Sequence, residues 1–334
     1  MRSGTGVVTD ARSAVAGAAV CPRCHGALAW SQDAAACEGC DRRYPLTGGI
    51  AVLSALAGED ANTSHKRRQI EFFDGEAAEF EITRPAGQPR LYGWLMEEKL
   101  RRSVLGVEPR LAGATVLTVC GGSGMDAELL ARRGARVIAS DLSLGAVQRA
   151  VERGRRAGLA IEAVVADAER LPFADRSIDV VYVHDGLHHL RDPLVGLAEM
   201  CRVARDCVLV SEPAAAAVTA LAVRLGLALE REQAGNRVAR VAARQIAGCL
   251  REHGFAVATA QRYAMFYRHE PGPWMRLLSR RRSYPAALLA IRAFNAVLGA
   301  LGNKIAVAGV RRAVSAPGAL ATAGGERRGS GERR

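Results

Sequence analysis

The chain has 334 residues, 49% of them hydrophobic and 24% charged, with a formal net charge of +12. These proportions exclude collagen-like, coiled-coil and wholly disordered chains, and the length suits about two domains. No uncharged apolar stretch of about 18 residues occurs, which argues against a bilayer-spanning helix. The basic excess favours anionic partners such as RNA, phospholipid headgroups or phosphorylated metabolites, although part of it sits in the tail pairs Arg327/Arg328 and Arg333/Arg334.

Residues 1–20 are small and polar without period and read as a disordered N-terminus. They lack the ordered basic, apolar and cleavage regions of a secretory signal, because Asp10 and Arg12 interrupt them, so a cytoplasmic location is expected. Residues 21–57 hold Cys21, Cys24, Cys37 and Cys40: two Cys-x2-Cys pairs separated by twelve residues. Two such turns joined by a hairpin bring four thiolates into a tetrahedral cage, and zinc is the expected ion. A closed four-thiolate site leaves no position for substrate, so its role is structural, supplying folding energy to a segment too small for its own core.

Residues 58–111 read as a linker followed by helices, broken near Pro85 and Pro89. Phe72, Phe73, Tyr92 and Trp94 there form either a lid or the core of a helical pair. Residues 112–312 alternate between strand and helix. Strands are expected at Thr115–Val119, Arg136–Ser140, Ile161–Val165, Ile178–Val183 and Cys207–Val210, and helices at Met125–Arg133, Leu144–Arg156 and Pro193–Val203. This rhythm predicts an α/β fold with a parallel sheet covered on both faces. A long helical stretch, Ala214–His253, follows; two more strands, Phe255–Tyr263 and Lys304–Val310, flank a basic apolar helical excursion from Trp274 to Leu301. Residues 313–334 are a disordered basic tail. Cys120, Cys201, Cys207 and Cys249 read as small buried hydrophobes.

The run Val116–Val119 leads into Cys120-Gly121-Gly122-Ser123-Gly124 and then a helix, a loop that lets the backbone approach a ligand closely. Gly122, Gly124 and Ala127 also fit the dinucleotide pattern GxGxx(G/A), so a nicotinamide enzyme is an alternative at this point. Asp141 ends the second strand, where a carboxylate can accept from both ribose hydroxyls. Asp167 lies just past the third, and His184, Asp185, His188 and His189 stand at the carboxyl end of the fourth, where open α/β sheets bind ligands.

Together the glycine loop, Asp141, Asp167 with Leu171-Pro172-Phe173, and the segment Leu187–Pro193 resemble a class I S-adenosylmethionine-dependent methyltransferase of the ubiquinone-methyltransferase-like group (type 11). The likeness runs from about Thr115 to Pro213. It implies a Rossmann-like sheet, S-adenosylmethionine as cofactor, and cofactor-binding residues Cys120, Gly121, Gly122, Gly124, Asp141, Leu142, Asp167, Ala168 and His184. Gly122 and Gly124 would lie by the methionine moiety, Asp141 on the ribose, Asp167 with Ala168 at adenine, and His184 beside the sulfonium. The family usually carries an acid where Thr118 stands and a glycine where Cys120 stands. Residues 21–57, with their Arg43-x-Tyr44-Pro45 and Gly48–Leu53 finish, resemble a Trm112-like zinc ribbon, which implies attachment to, or partnership with, methyltransferases.

Methyl transfer mainly requires alignment of donor and acceptor. A base is needed only for a protonated acceptor; His188, His189, Asp185 and Glu212 are the candidates, each alternatively a packing or loop-fixing residue. The expected reaction is methyl transfer to O or N of a small molecule, such as a secondary metabolite, a quinone-like compound or a lipid-linked acceptor. Alternatives are an rRNA or tRNA methyltransferase, which the basic charge would suit, and a non-catalytic cofactor-binding or activator protein. The helices after the fifth and sixth strands cover the acceptor or touch a membrane surface peripherally.

Overall fold

The computed structural model describes residues 13–54, 61–75, 78–214, 224 and 241–312. Helix α1 (Ala14–Ala18) opens it, followed by four short strands, β1 (Leu28–Trp30), β2 (Ala34–Cys37), β3 (Arg43–Thr47) and β4 (Ile50–Leu53). These pair antiparallel in sequence, as a ribbon of hairpins. Three helices come next: α2 (Ala61–Asp74), α3 (Ala78–Thr83) and α4 (Arg90–Ser103).

The alternating region then gives β5 (Thr115–Val119), α5 (Met125–Ala131), β6 (Arg136–Asp141), α6 (Leu144–Ala157), β7 (Ile161–Ala166), β8 (Ile178–His184), α7 (Pro193–Val203) and β9 (Ala204–Pro213). Local chemistry sets these limits. Ser143 caps α6 by accepting from Ala146 N, and Gly158 ends it in the left-handed region. Asp192 caps α7 ahead of Pro193. The remaining elements are α8 (Ala243–Glu252), β10 (Phe255–Tyr263), α9 (Pro273–Leu278), α10 (Tyr284–Leu298) and β11 (Lys304–Arg311).

Among the described residues the strands join in one sheet, ordered β1-β2-β3-β4-β7-β6-β5-β8-β9-β11-β10. Strands β4 through β9 run parallel, and β11 and β10 are antiparallel at the far edge. Every residue of β5 is buried. One face packs under α1, α7 and α8, the other under α4, α5 and α6. Successive strands step one way from β5 to β7 and the other way from β8 to β9, so the order reverses between β5 and β8, and a crevice opens at their carboxyl ends.

The cysteine ribbon is not a separate body. Its last strand adds in parallel to the sheet, with Ala51, Val52 and Leu53 opposite Val164, Val165 and Ala166, and Cys21, Ala35, Cys37 and Tyr44 belong to the same buried cluster as Leu117 and Val181. Fully buried Leu53 alone accounts for about 1.5–3 kcal/mol of apolar burial. The expectation that metal must replace a core is therefore modified: the ribbon shares the core of the sheet.

Disorder is expected over residues 1–20, of which 1–12 lie outside the described residues, yet the chain is docked from Ser13 onward. Ser13 donates to Glu162 Oε2 at 2.5 Å, and the Ala14 and Val15 N–H groups donate to the same carboxylate at 2.9 and 3.1 Å. Val15 is fully buried; small residues without a visible period gave no sign of this docking. The segment read as linker from Ala57 becomes α2 from Ala61. Most of the long helical stretch expected from Ala214 to His253 and the tail 313–334 lie outside the described residues. The excursion from Trp274 divides into α9 and α10. The window Tyr284–Leu301, with mean hydropathy 1.5, is long and apolar enough to cross a membrane by length and composition, although Arg292 lies within it and it is therefore not an uncharged stretch.

Glu162→Ala removes the acceptor of three donors in the first turn of α1. The expected result is a loss of about 1–2 kcal/mol in urea unfolding, with new protease cleavage before Val20; unchanged stability and protection would contradict this docking.

Candidate functional site

The crevice is built from the turn after β5. Gly121 N donates to Ser140 O at 2.8 Å and Gly124 N to Gly121 O at 3.1 Å, folding the loop back over the sheet. Gly124 has φ +78°, and a Cβ there would lie 2.6 Å from the Ala150 Cβ, so glycine lets α5 pack on α6. Gly122, with φ +52°, has nothing within 4 Å of where a Cβ would be, and this is the open side of the loop. Asp141 faces it from the end of β6, its Oδ2 accepting from Gly122 N at 2.9 Å and its Oδ1 from Ser143 N at 3.0 Å. Burial pushes the Asp141 carboxyl upward, against these backbone bonds. A carboxylate has about four acceptor positions, and the Leu142 amide also bears on this one, which leaves acceptor capacity for a ligand hydroxyl. Leu142 follows at the same turn. Under the loop, the buried Thr118 hydroxyl has no hydrogen-bond partner among the described residues, where the family resemblance led one to expect an acid. The open Gly122, the hydroxyl-accepting Asp141 and this unmatched hydroxyl fit a nucleoside with a polar amino-acid tail.

Helix α2, which carries Phe72 and Phe73 of the lid alternative, crosses the crevice. Lys66 Nζ lies 2.5 Å from Asp167 Oδ2 and 2.7 Å from Glu169 Oε2. Burial would lower the Lys66 pKa, but the two carboxylates outweigh it and raise it. His65 Nε2 bonds the His189 carbonyl at 2.7 Å, and Phe73 meets the His189 ring edge-on at 5.4 Å. At the other end Asp74 Oδ1 accepts from Ser143 Oγ at 2.5 Å and Gly145 N at 2.9 Å, while Arg149 donates to the Phe73 carbonyl. Asp167, expected to face adenine with Ala168, thus also holds α2 through Lys66, and Ala168 is buried beneath.

The base candidates divide. Glu212 is 1% exposed and accepts from Gly186 N and Leu187 N, both at 2.8 Å, and bonds His188 Nδ1 at 2.8 Å. Glu212 and His188 therefore fix the loop after β8 from within the core; neither is placed to meet an acceptor. His189 is partly buried, held between Gln69 Oε1 at 3.1 Å and Phe73. Asp185 is corrected as a base: Lys304 Nζ contacts its two oxygens at 2.6 and 2.5 Å. Burial would raise the Asp185 pKa, but His184 and Lys304 hold it well below the carboxylate range. His184 stands at the end of β8 next to Cys120, since Val183 pairs with Val119. Its Nδ1 lies 3.1 Å from Asp126 and its Nε2 3.2 Å from Asp185. Buried Lys99, whose pKa burial lowers against the pull of Asp126 and Asp185, completes a charged cluster behind it. Lys99, Asp126 and Lys304 had no legible motif, because three different elements bring them together.

Residues 117–208 match a family described as a methyltransferase domain. Over these residues the central unit is similar in sequence to methyltransferase domains. Among curated relatives, the demethylmenaquinone methyltransferase of Thermobifida fusca is 36% identical over 110 residues, 33% of this chain and 47% of that protein. That of Renibacterium salmoninarum is 35% identical over 136 residues, 40% of this chain and 52% of that protein. The chain thus spans about half the length of the curated relatives it matches. A solved geranyl diphosphate methyltransferase, in complex with GPP and sinefungin, aligns with TM-score 0.50 at 13% identity over 74% of this chain and 98% of that one, a likeness of fold alone.

Ahead of the methyltransferase domain, Cys21, Cys24, Cys37 and Cys40 bring their sulfurs within 4.8 Å of one another. The Cys21–Cys40 and Cys24–Cys37 separations are 3.6 and 3.4 Å. Four sulfurs about 2.3 Å from one ion in a tetrahedron stand about 3.8 Å apart, so the donor set fits such an ion with small adjustments.

Two further residues brace the glycine loop of the methyltransferase domain. Arg153, 2% exposed, donates to the carbonyls of Ser123 at 3.0 Å and Arg84 at 2.6 Å, and to Glu128 at 2.9 Å. Glu81 of α3 accepts from Ser123 Oγ at 2.5 Å and pairs with Arg84 at 2.9 Å and His269 at 2.7 Å. Burial would raise the Glu81 pKa, but His269, Arg84 and Ser123 bring it down to about 2. A folded pKa below the unfolded value of about 4.3 gives stability that is complete above that pH and lost as pH falls toward 2. Glu81→Gln should therefore cost on the order of 3 kcal/mol near neutrality, and the gap to the unaltered protein should close in urea titrations run at successively lower pH.

Proposed function

We propose that this chain transfers a methyl group from S-adenosylmethionine to a small quinone-type acceptor, and that its four-thiol cluster holds a structural zinc ion. The observation that carries the reading is the pairing of Asp141 with the open Gly122 turn at the switch point of a sheet whose sequence matches a methyltransferase family. The acceptor class is drawn from the demethylmenaquinone methyltransferases among its relatives.

When bound, the cofactor supplies an electrophilic methyl on a sulfonium, so the protein has to orient and desolvate rather than activate it. Asp141 would hold the sugar through its free acceptor positions and Asp167 the base, with Lys66 paired to that carboxylate and α2 excluding water. Gly122 and Gly124 leave room for the amino-acid tail. Beyond the end of β8, Lys99 and Lys304 are matched by Asp126 and Asp185 around His184, a balanced cluster that fixes the wall of the crevice. Zinc would tie the two knuckles of the ribbon, and through β4 the edge of the sheet.

Asp141→Asn keeps the shape but loses the charge, and should weaken S-adenosylmethionine binding by about 10- to 100-fold in equilibrium dialysis, with zinc content unchanged. Label from the methyl group should enter a reduced naphthoquinone and not RNA. Full binding by the variant, or label entering RNA alone, would overturn the reading. Metal analysis should give one zinc per chain, and Cys24→Ser should lower that occupancy.

A further inference from the structure

We propose that α9 and α10 form a docking surface for an anionic lipid bilayer. Of the twelve large apolar side chains exposed among the described residues, nine fall between Phe266 and Leu301. Trp274 is 76% exposed, Leu289 70%, Val297 78% and Leu301 63%. A surface helix of a protein bathed only in water carries polar residues on its outer side. Helix α10 does not: Tyr284, Ala287, Leu288, Ile291 and Asn295 turn inward, and its outer residues are almost all Ala, Leu, Phe and Val.

The inward stripe is firmly seated. Tyr284 and Ala287 share a buried cluster with Tyr92, Met96 and Tyr263, and Asn295 exchanges hydrogen bonds with the Ala264 backbone, donating at 3.0 Å and accepting at 2.8 Å. Met275 of α9 packs on the same cluster. The exposed apolar side is thus a fixed feature of a held helix.

Charge selects the occupant. From Ala264 to Asn303 the chain has six arginines and a single carboxylate, Glu270. Arg276, Arg280, Arg281 and Arg282 are exposed and form no ion pair with a carboxylate among the described residues. Apolar side chains beside a run of arginines, with a tryptophan among them, match an interface of acyl chains under phosphate headgroups. A second copy of the chain would set arginines against arginines. Insertion across the bilayer is opposed by Arg292, midway along the apolar window and stacked 5.8 Å from the Trp94 ring on α4. An open groove of about 460 Å³ between α4 and α10, lined by Arg101, Arg102 and Arg292 with Glu98 as the one acid, borders this face and suits a headgroup.

The docking contact needs neither methyl donor nor acceptor, so it can be read apart from the proposed reaction. The full chain is floated with vesicles of phosphatidylcholine alone or mixed with phosphatidylglycerol, at low and high salt, without cofactor. The protein should float with the mixed vesicles, and high salt should weaken this. The Leu289→Ser/Val297→Ser double variant and the Arg280→Ala/Arg281→Ala/Arg282→Ala triple variant should each bind about tenfold less or weaker still. Both alter exposed positions, so circular dichroism and donor binding should stay as in the unaltered protein. Absence of flotation, equal binding to neutral vesicles, or a concentration-dependent dimer that replaces vesicle binding would each overturn the proposal. Loss of donor binding by Asp141→Asn with flotation retained would leave docking standing and bear only on the site.

Discussion

The hydrogen bond from the Gly122 amide to the Asp141 carboxylate, beside that from Gly121 N to Ser140 O, ties the turn after β5 to the end of β6. The crevice depends on it. Gly122 keeps its left-handed backbone with open space on its outer side, and the carboxylate is aimed into the same space rather than into the sheet. Around this contact lie supports from distant parts of the chain: Arg153 on the Ser123 carbonyl, Glu81 on the Ser123 hydroxyl, and Asp74 at the start of α6. Arg153 and Glu81 are buried charges matched to a backbone or hydroxyl group, the condition under which burial of charge does not become a penalty, while Asp74 holds its partners from the surface.

The segments outside the methyltransferase domain are structural parts of it. The ribbon extends the sheet through β4, α1 is pinned by Glu162, and α2 reaches over the crevice with an ammonium at one end and a carboxylate at the other. This arrangement couples the crevice to the N-terminal third of the chain, because the side chains that close it, Lys66 and Asp74, are supplied from there. At the opposite edge, α10 rests on a cluster that includes Ala306 of β11, in the same strand as Lys304, so the apolar outer face and the charged cluster behind His184 are borne on one support.

Much of the fold was legible because period and punctuation agreed. The expected strand Thr115–Val119 and helix Pro193–Val203 coincide with β5 and α7, since a short β-branched run and an Asp-Pro cap are local signals. What failed was non-local. Residues 13–18 have no period of their own, and their helix exists because Glu162, far along the chain, receives its free amides. Lys66 stood in what resembled a linker, and its ion pair with Asp167 spans 101 residues.

The amino-acid order by itself determined the alternating elements, the glycine turn with Asp141 following it, and the two thiol pairs, since each depends on neighbours within a few residues or on a fixed spacing. Only the tertiary structure decided the charges. It assigned Glu212 and His188 to holding a loop, gave Asp185 to Lys304, and left the outer side of α10 uncovered. A carboxylate's or imidazole's role is set by the dielectric and the partners around it, and those come from strands and helices that sequence spacing does not relate.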